Sequence, residues 1–204
     1  MLRPEPSPIS ITGPSSGRSR AVAIRRSASG CAVCGGDEDI GIDLRENRGG
    51  PLLEAGAKVP DVGASDQDGN DVRLRGFAGR KLVVYFYPRA DTPGCTAESQ
   101  AFRDEKDALA AAGAAIVGVS RDTVDAQKKF EQKYRLNFPL LADTTSAICD
   151  AFGVIVEKTM YGKKSVGIQR STFLVGADGT IAKVWPRVSV EGHAQAVLEA
   201  VRSL

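Results

Sequence analysis

The chain has 204 residues and a net charge of +2, with 42% hydrophobic and 6% aromatic residues. That length suits one domain of about 150 residues plus an extension, large enough to bury a core without disulfide staples. Charge is balanced in both parts, seven Arg and Lys against six Asp and Glu in residues 1–50 and twenty against nineteen in 51–204, which leaves no nucleic-acid footprint, and no apolar run approaches the roughly 20 residues of a membrane span.

Residues 1–36 are rich in Ser, Pro, Gly and Arg, with five arginines, one acid (Glu5) and little periodic apolar pattern. Such a segment cannot bury a core, so residues 1–50 are expected to be a disordered extension ahead of a folded domain over 51–204. An Arg-rich, acid-poor start is also the composition of a transit peptide, but no amphipathic helix accompanies it, and Ala21 to Ile24 is far too short for a secretory apolar core. Cys31 and Cys34 form Cys-Ala-Val-Cys, a spacing shared by zinc half-sites and redox pairs. A structural zinc site needs about four ligands. The rest of the chain offers only Cys95, Cys149 and the single His193, so neither a metal nor another cofactor is expected. Four cysteines in a chain of this size do not make a disulfide framework, which makes a reducing cytoplasm the expected compartment.

The folded part is expected from Leu53. Asp66 to Asn70 is a turn signal between two short strands within Ala64 to Leu74. Leu82 to Tyr87 is a continuous apolar run, the pattern of a strand buried on both faces. Pro88 ends it, Arg89 to Asp91 form a polar loop, and Thr92-Pro93-Gly94-Cys95 reads as a helix start with Thr92 as N-cap, Pro93 first and Cys95 third. A sulfur there faces unpaired N–H groups and the positive end of the helix dipole, which favour the nucleophilic thiolate. The Thr92 hydroxyl lies within reach of the Cys95 N–H, the sulfur or a bound substrate, and Gly94 leaves room for a small molecule. The plainer alternative is a buried free cysteine in a strand-to-helix turn.

Beyond Cys95, Ala97, Ala101, Phe102, Ala108, Leu109 and Ala112 recur at helical spacing up to Gly113. Ala114 to Val119 is the next strand, and Thr123 to Arg135 a helix with Ala126, Phe130 and Tyr134 on one face. Pro139 to Ala142 is a short strand, and Thr145 to Phe152 a short helix burying Ile148 and Phe152. Ser171 to Val175 and Ile181 to Trp185 flank an Asp-Gly turn and form an antiparallel hairpin. Gly192 to Leu204 closes the chain as a helix with Ala196, Val197, Ala200, Val201 and Leu204 on one face. Strand-helix-strand units followed by a hairpin and a final helix give an α/β fold, a mixed sheet with helices on both faces.

The stretch YPRADTPGCTAES resembles the peroxiredoxin motif Pro-x-x-x-Thr-x-x-Cys, in the form typical of the bacterioferritin-comigratory-protein (PrxQ) type. NFPLLAD at Asn137 to Asp143, YGKKSVGIQRSTFLVGADGTI at Tyr161 to Ile181 and GHAQAVLEAV at Gly192 to Val201 extend the resemblance, which spans roughly Leu53 to Leu204. It implies a thioredoxin-like fold, a monomer, and a peroxidase using Cys95 as nucleophile, with Thr92 and Arg170 as its active-site partners. Arg170 matches the family's arginine because it stands directly before Ser-Thr-Phe-Leu-Val. Glu98 also matches the motif and is read as orienting an arginine, since a carboxylate near the sulfur would otherwise oppose thiolate formation.

Attack on a peroxide leaves a sulfenic acid that a second thiol must reset. Many relatives of this type carry that thiol five residues after the first, where this chain has Gln100. Cys149, or Cys31 and Cys34, are the internal candidates. An external thiol, from thioredoxin, glutaredoxin or a small molecule, needs no further residue and is the preferred reading. His193 is expected to cap or pack. A thiol-disulfide oxidoreductase would need a second cysteine where Glu98 stands, whereas a non-catalytic redox sensor or holdase would use the same Cys95.

Overall fold

The computed structural model describes residues 50–160 and 163–204. The part of the chain expected to form a disordered extension, up to residue 49, and the Cys31/Cys34 pair within it lie outside the described residues. Within them the order is β1 (Gly63–Ser65), β2 (Asp71–Arg73), a 3-10 turn (Leu74–Phe77), β3 (Lys81–Phe86), α1 (Pro93–Ala111), β4 (Ala114–Ser120), α2 (Val124–Tyr134), β5 (Leu140–Ala142), α3 (Ala147–Ala151), β6 (Ile155–Met160), β7 (Lys163–Ile168), β8 (Ser171–Val175), β9 (Ile181–Trp185) and α4 (His193–Ser203).

Five strands form the central sheet in the order β5-β4-β3-β8-β9. The crossovers through α1 and α2 make β3, β4 and β5 parallel, while β8 and β9 run antiparallel to their neighbours. This is the mixed sheet expected from the sequence. β3 lies at its centre, which explains its unbroken apolar run: Leu82, Val84 and Phe86 point into one core, Val83, Tyr85 and Tyr87 into the other.

The first core joins Val84 and Phe86 to Ile148, Cys149 and Phe152 of the α3 region and to Phe173 of β8. Phe86, Phe152 and Phe173 form a tilted and edge-on triad with centroids 4.9 to 5.6 Å apart. Each such pair adds about 0.5 to 1.5 kcal/mol beyond its buried area. The second core joins Tyr85 and Tyr87 to Phe102 and Leu109 of α1, Phe130 of α2, and Ala194, Val197, Leu198 and Val201 of α4. Helices therefore cover both faces. Gly118 of β4 is required beneath Tyr85, because a Cβ there would lie 2.7 Å from the tyrosine hydroxyl oxygen.

Several local expectations change. Thr92 occupies the N-cap position with extended backbone, but its side chain makes no capping bond. On α1, Ala97 is exposed while Glu98 and Ser99 are buried beside Phe102, because Ser99 bonds the Tyr85 hydroxyl at 2.9 Å and Glu98 meets an arginine. On α4 the buried face is His193, Ala194, Val197, Leu198 and Val201; Ala196 is exposed and Leu204 is 52% exposed. The hairpin β6–β7 was not expected. Ile155 and Ile168 are buried opposite one another at its base, and the sequence between them lacks a sustained apolar–polar alternation. Among the described residues no helix is long and apolar enough to cross a membrane.

Candidate active site

The site forms where β3 gives way to α1, at the C-terminal edge of the parallel strands, where open α/β sheets hold their ligands. Tyr87 continues the ladder by donating its N–H to Val119 O at 3.1 Å, after which the chain turns through Pro88 to Asp91. Asp91 takes the left-handed conformation (φ 58°). Its carboxylate accepts from Lys133 at 2.8 Å and from the Tyr134 hydroxyl at 2.6 Å, which ties the loop to the end of α2.

Helix α1 starts at Pro93, so Cys95 is its third residue, as the sequence predicts. The sulfur is buried, with the residue only 1% exposed. The Thr92 hydroxyl donates to the Arg89 carbonyl at 3.0 Å, and the Thr92 carbonyl accepts the Thr96 N–H at 2.8 Å as the helix begins. With its proton committed to Arg89, Thr92 presents its oxygen as an acceptor.

Arg170 arrives through strand pairing. Phe86 is opposite Ser171 in the β3–β8 ladder, which brings the residue before Ser171 to the end of β3, beside the start of α1. Its backbone carbonyl is held by the Val188 N–H at 3.1 Å. One guanidinium nitrogen, Nη2, donates to Cys95 Sγ at 3.2 Å, and the other, Nη1, pairs with Glu98 Oε2. Gly94 borders this group: a Cβ there would lie 3.4 Å from Arg170 Nη2. The Glu98 side chain is 1% exposed and that of Arg170 17%. Burial pushes the Glu98 carboxyl up to about 7, against the opposing pull of Arg170. Its second oxygen, Oε1, is buried without a hydrogen-bond partner.

His193 packs behind this group. Its ring stands edge-on to Phe102 and Trp185, and Nε2 lies 2.8 Å from the Thr172 hydroxyl. Burial, reinforced by the positive charge of Arg170, lowers its pKa to about 4, so it is neutral at physiological pH. Cys149 lies elsewhere. It belongs to the core on the opposite face of the sheet from Cys95, its N–H donates to Asp143 Oδ2 at 2.8 Å, and burial followed by the Asp143 charge drives its thiol pKa far up. The structure thus brings Cys95, Arg170 and Glu98 together, sets Thr92 at the N-cap of the same helix, and leaves Cys149 apart.

Sequence reasoning missed the polar residues behind the loop, Ser120, Asp122 and Gln127. The available signal was position: Ser120 ends the central parallel strand β4 and Asp122 follows it at the ligand edge of the sheet.

The AhpC/TSA family pattern matches residues 55–184. Peroxiredoxin Bcp of Xanthomonas campestris is 45% identical over 152 residues, covering 74% of this chain and 95% of that protein. The chain is a member of the peroxiredoxin family, in its Bcp branch. Peroxiredoxin Bcp of Escherichia coli is 42% identical over 146 residues, 72% of this chain and 94% of its own. A solved structure of the Xanthomonas campestris bacterioferritin comigratory protein, studied for alkyl peroxide reduction, superposes with a TM-score of 0.69 at 44% identity, covering 74% of this chain and 96% of that one. Membership makes this peroxiredoxin a thiol-dependent peroxidase with a thioredoxin-like fold.

Proposed function

We propose that Cys95 is the nucleophile that reduces hydrogen peroxide and organic hydroperoxides, with Thr92, Arg170 and Glu98 arranging sulfur and substrate. The observation that carries this reading is the 3.2 Å approach of Arg170 Nη2 to Cys95 Sγ. It sets a guanidinium donor and the first turn of a helix around the buried sulfur, where negative charge moves as the peroxide bond breaks.

The peroxide donates its O–H to the Thr92 oxygen, whose own proton is engaged by Arg89. The thiolate attacks the terminal peroxide oxygen, an S–O bond forms as the O–O bond breaks, and the electron pair leaves on the departing hydroxide or alkoxide. Arg170 and the first-turn N–H groups of α1 stabilise that charge, and a proton from solvent completes water or alcohol. Cys95 is left as a sulfenic acid. Glu98 anchors the far side of the guanidinium so that its fork faces the sulfur.

Reset comes from outside the fold, from thioredoxin, glutaredoxin or a small thiol. Supporting this, Cys149 is the other free cysteine among the described residues, and it is buried across the sheet. The protein acts as a cytoplasmic monomer in antioxidant defence. The alkyl peroxide reduction studied for the Xanthomonas campestris relative supports organic hydroperoxides as substrates.

The test is peroxide-dependent NADPH consumption coupled through thioredoxin and thioredoxin reductase, in the intact protein and in Cys95→Ser. Many turnovers in the former and none in the latter are expected. Consumption of a single equivalent with every reductant supplied would instead establish a sensor.

A further inference from the structure

A line of hydrogen bonds that the proposed chemistry does not use runs behind the active-site loop. The Tyr87 hydroxyl donates to Gln127 Oε1 at 2.5 Å, and Gln127 Nε2 donates to Ser120 Oγ at 2.8 Å and to Leu141 O at 3.2 Å. The Ser120 hydroxyl donates to Asp122 Oδ2 at 2.7 Å, and the same carboxylate oxygen accepts the Ala90 N–H at 2.7 Å. Tyr87, Ser120 and Gln127 are fully buried. From Tyr87 through Gln127 and Ser120 the donors run in one direction to the Asp122 carboxylate, an arrangement in which successive bonds polarise and strengthen one another.

We propose that Asp122 is a positioning residue for peroxide reduction, acting through the peptide unit between Arg89 and Ala90 to set the orientation of the Thr92 hydroxyl. The Arg89 carbonyl and the Ala90 N–H are the two ends of one planar peptide group, and in a trans peptide they point in opposite directions. Asp122 pulls the N–H towards the β4–α2 connection. The carbonyl is thereby aimed the other way, at Thr92, whose proton it accepts. Rotation of that peptide would withdraw the carbonyl and free the Thr92 proton, turning an acceptor of the peroxide O–H into a competing donor. A charged acceptor suits this task, because hydrogen bonds to ionised groups are about twice as strong as neutral ones. Asp91, held by Lys133 and Tyr134, fixes the next residue of the same loop.

The inference rests on the reading of Thr92 as the peroxide's acceptor, and a double-mutant cycle separates the two. The measured quantity is the single-turnover rate of Cys95 oxidation by hydrogen peroxide in the full chain. Thr92→Val should slow it about 100-fold and Asp122→Ala about 10-fold, while the double variant should be no slower than Thr92→Val alone. Asp122→Asn, which keeps an acceptor oxygen, should recover to within about threefold of the parent. Alkylation of Cys95 by iodoacetamide needs no Thr92 and should change little in Asp122→Ala, whereas a general loosening of the site would change it in step with peroxide oxidation. If the alanine variant does not fold, Asp122→Ser takes its place in the cycle. Oxidation of Asp122→Ala at the parent rate, or losses that add fully in the double variant, would overturn the assignment of Asp122. A parent rate in Thr92→Val would overturn the reading of Thr92 instead.

Discussion

Arg170 holds Glu98 with one nitrogen of its guanidinium and the Cys95 sulfur with the other. The three side chains form a row of carboxylate, guanidinium and sulfur, in which the planar fork fixes the spacing and Glu98, buried at the inner end, fixes the direction.

A single ammonium cannot span that row. Arg170→Lys should slow Cys95 oxidation by at least about 100-fold, and Arg170→Met should be no more than a few-fold worse. Stopped-flow measurement with hydrogen peroxide checks this. A lysine variant that keeps most of the rate would show that charge alone suffices.

The buried ends of the site respond to pH with opposite signs. Glu98 rises from an ordinary 4.5 to about 7, chiefly through burial, so between these values the folded chain keeps a proton that the unfolded chain releases, and stability falls as pH rises. His193 drops from 6.5 to about 4, again chiefly through burial, so stability falls as pH drops through that range. From 4.5 to 6.5 the two slopes oppose each other. Glu98→Gln removes one of them: its stability relative to the parent should climb by about 3 kcal/mol from pH 4.5 to 7. Urea unfolding at several pH values reads the difference, and parallel profiles for the two proteins would contradict it.

Cys149 is set apart by the sheet. Cys149→Ser should keep most of the peroxidase activity, and mass spectrometry after one equivalent of peroxide should find no bond between Cys95 and Cys149. A disulfide between them would require α3 to leave the core that Phe152 and Phe173 occupy.

That core offers a control far from the chemistry. Phe152→Ala removes a fully buried ring packed on Phe86 and Phe173 and should cost about 3 to 5 kcal/mol in denaturant unfolding. The surviving folded protein should oxidise Cys95 at the parent rate, because no residue of the site belongs to this cluster.

Much of the architecture was legible where the signal is local. The run Leu82 to Tyr87, the Thr-Pro-Gly-Cys helix start and the Asp-Gly hairpin each carry their own chemistry in sequence, and each forms where expected. Errors came where partners decide. Ala97 reads as part of the buried apolar face but is exposed, while Glu98, expected to orient an arginine, takes the buried place because Arg170 arrives from 72 residues away to pair with it. The Thr92 hydroxyl reads as a cap but turns to Arg89, a choice fixed by a peptide that Asp122 holds from another loop. Hairpin β6–β7 was missed because the sequence between Ile155 and Ile168, which are buried opposite one another, carries no sustained apolar alternation.

The sheet that parts the two described cysteines carries a liability under oxidative load. Under the chemistry proposed for Cys95, with reset by an external thiol, its sulfenic acid has no neighbouring thiol among the described residues to condense with, and a second peroxide then competes with the incoming reductant. When reductant runs short the sulfur advances to sulfinic acid, which ordinary thiols do not reverse. The working lifetime of each molecule is then set less by its own stability than by how promptly its surroundings return electrons.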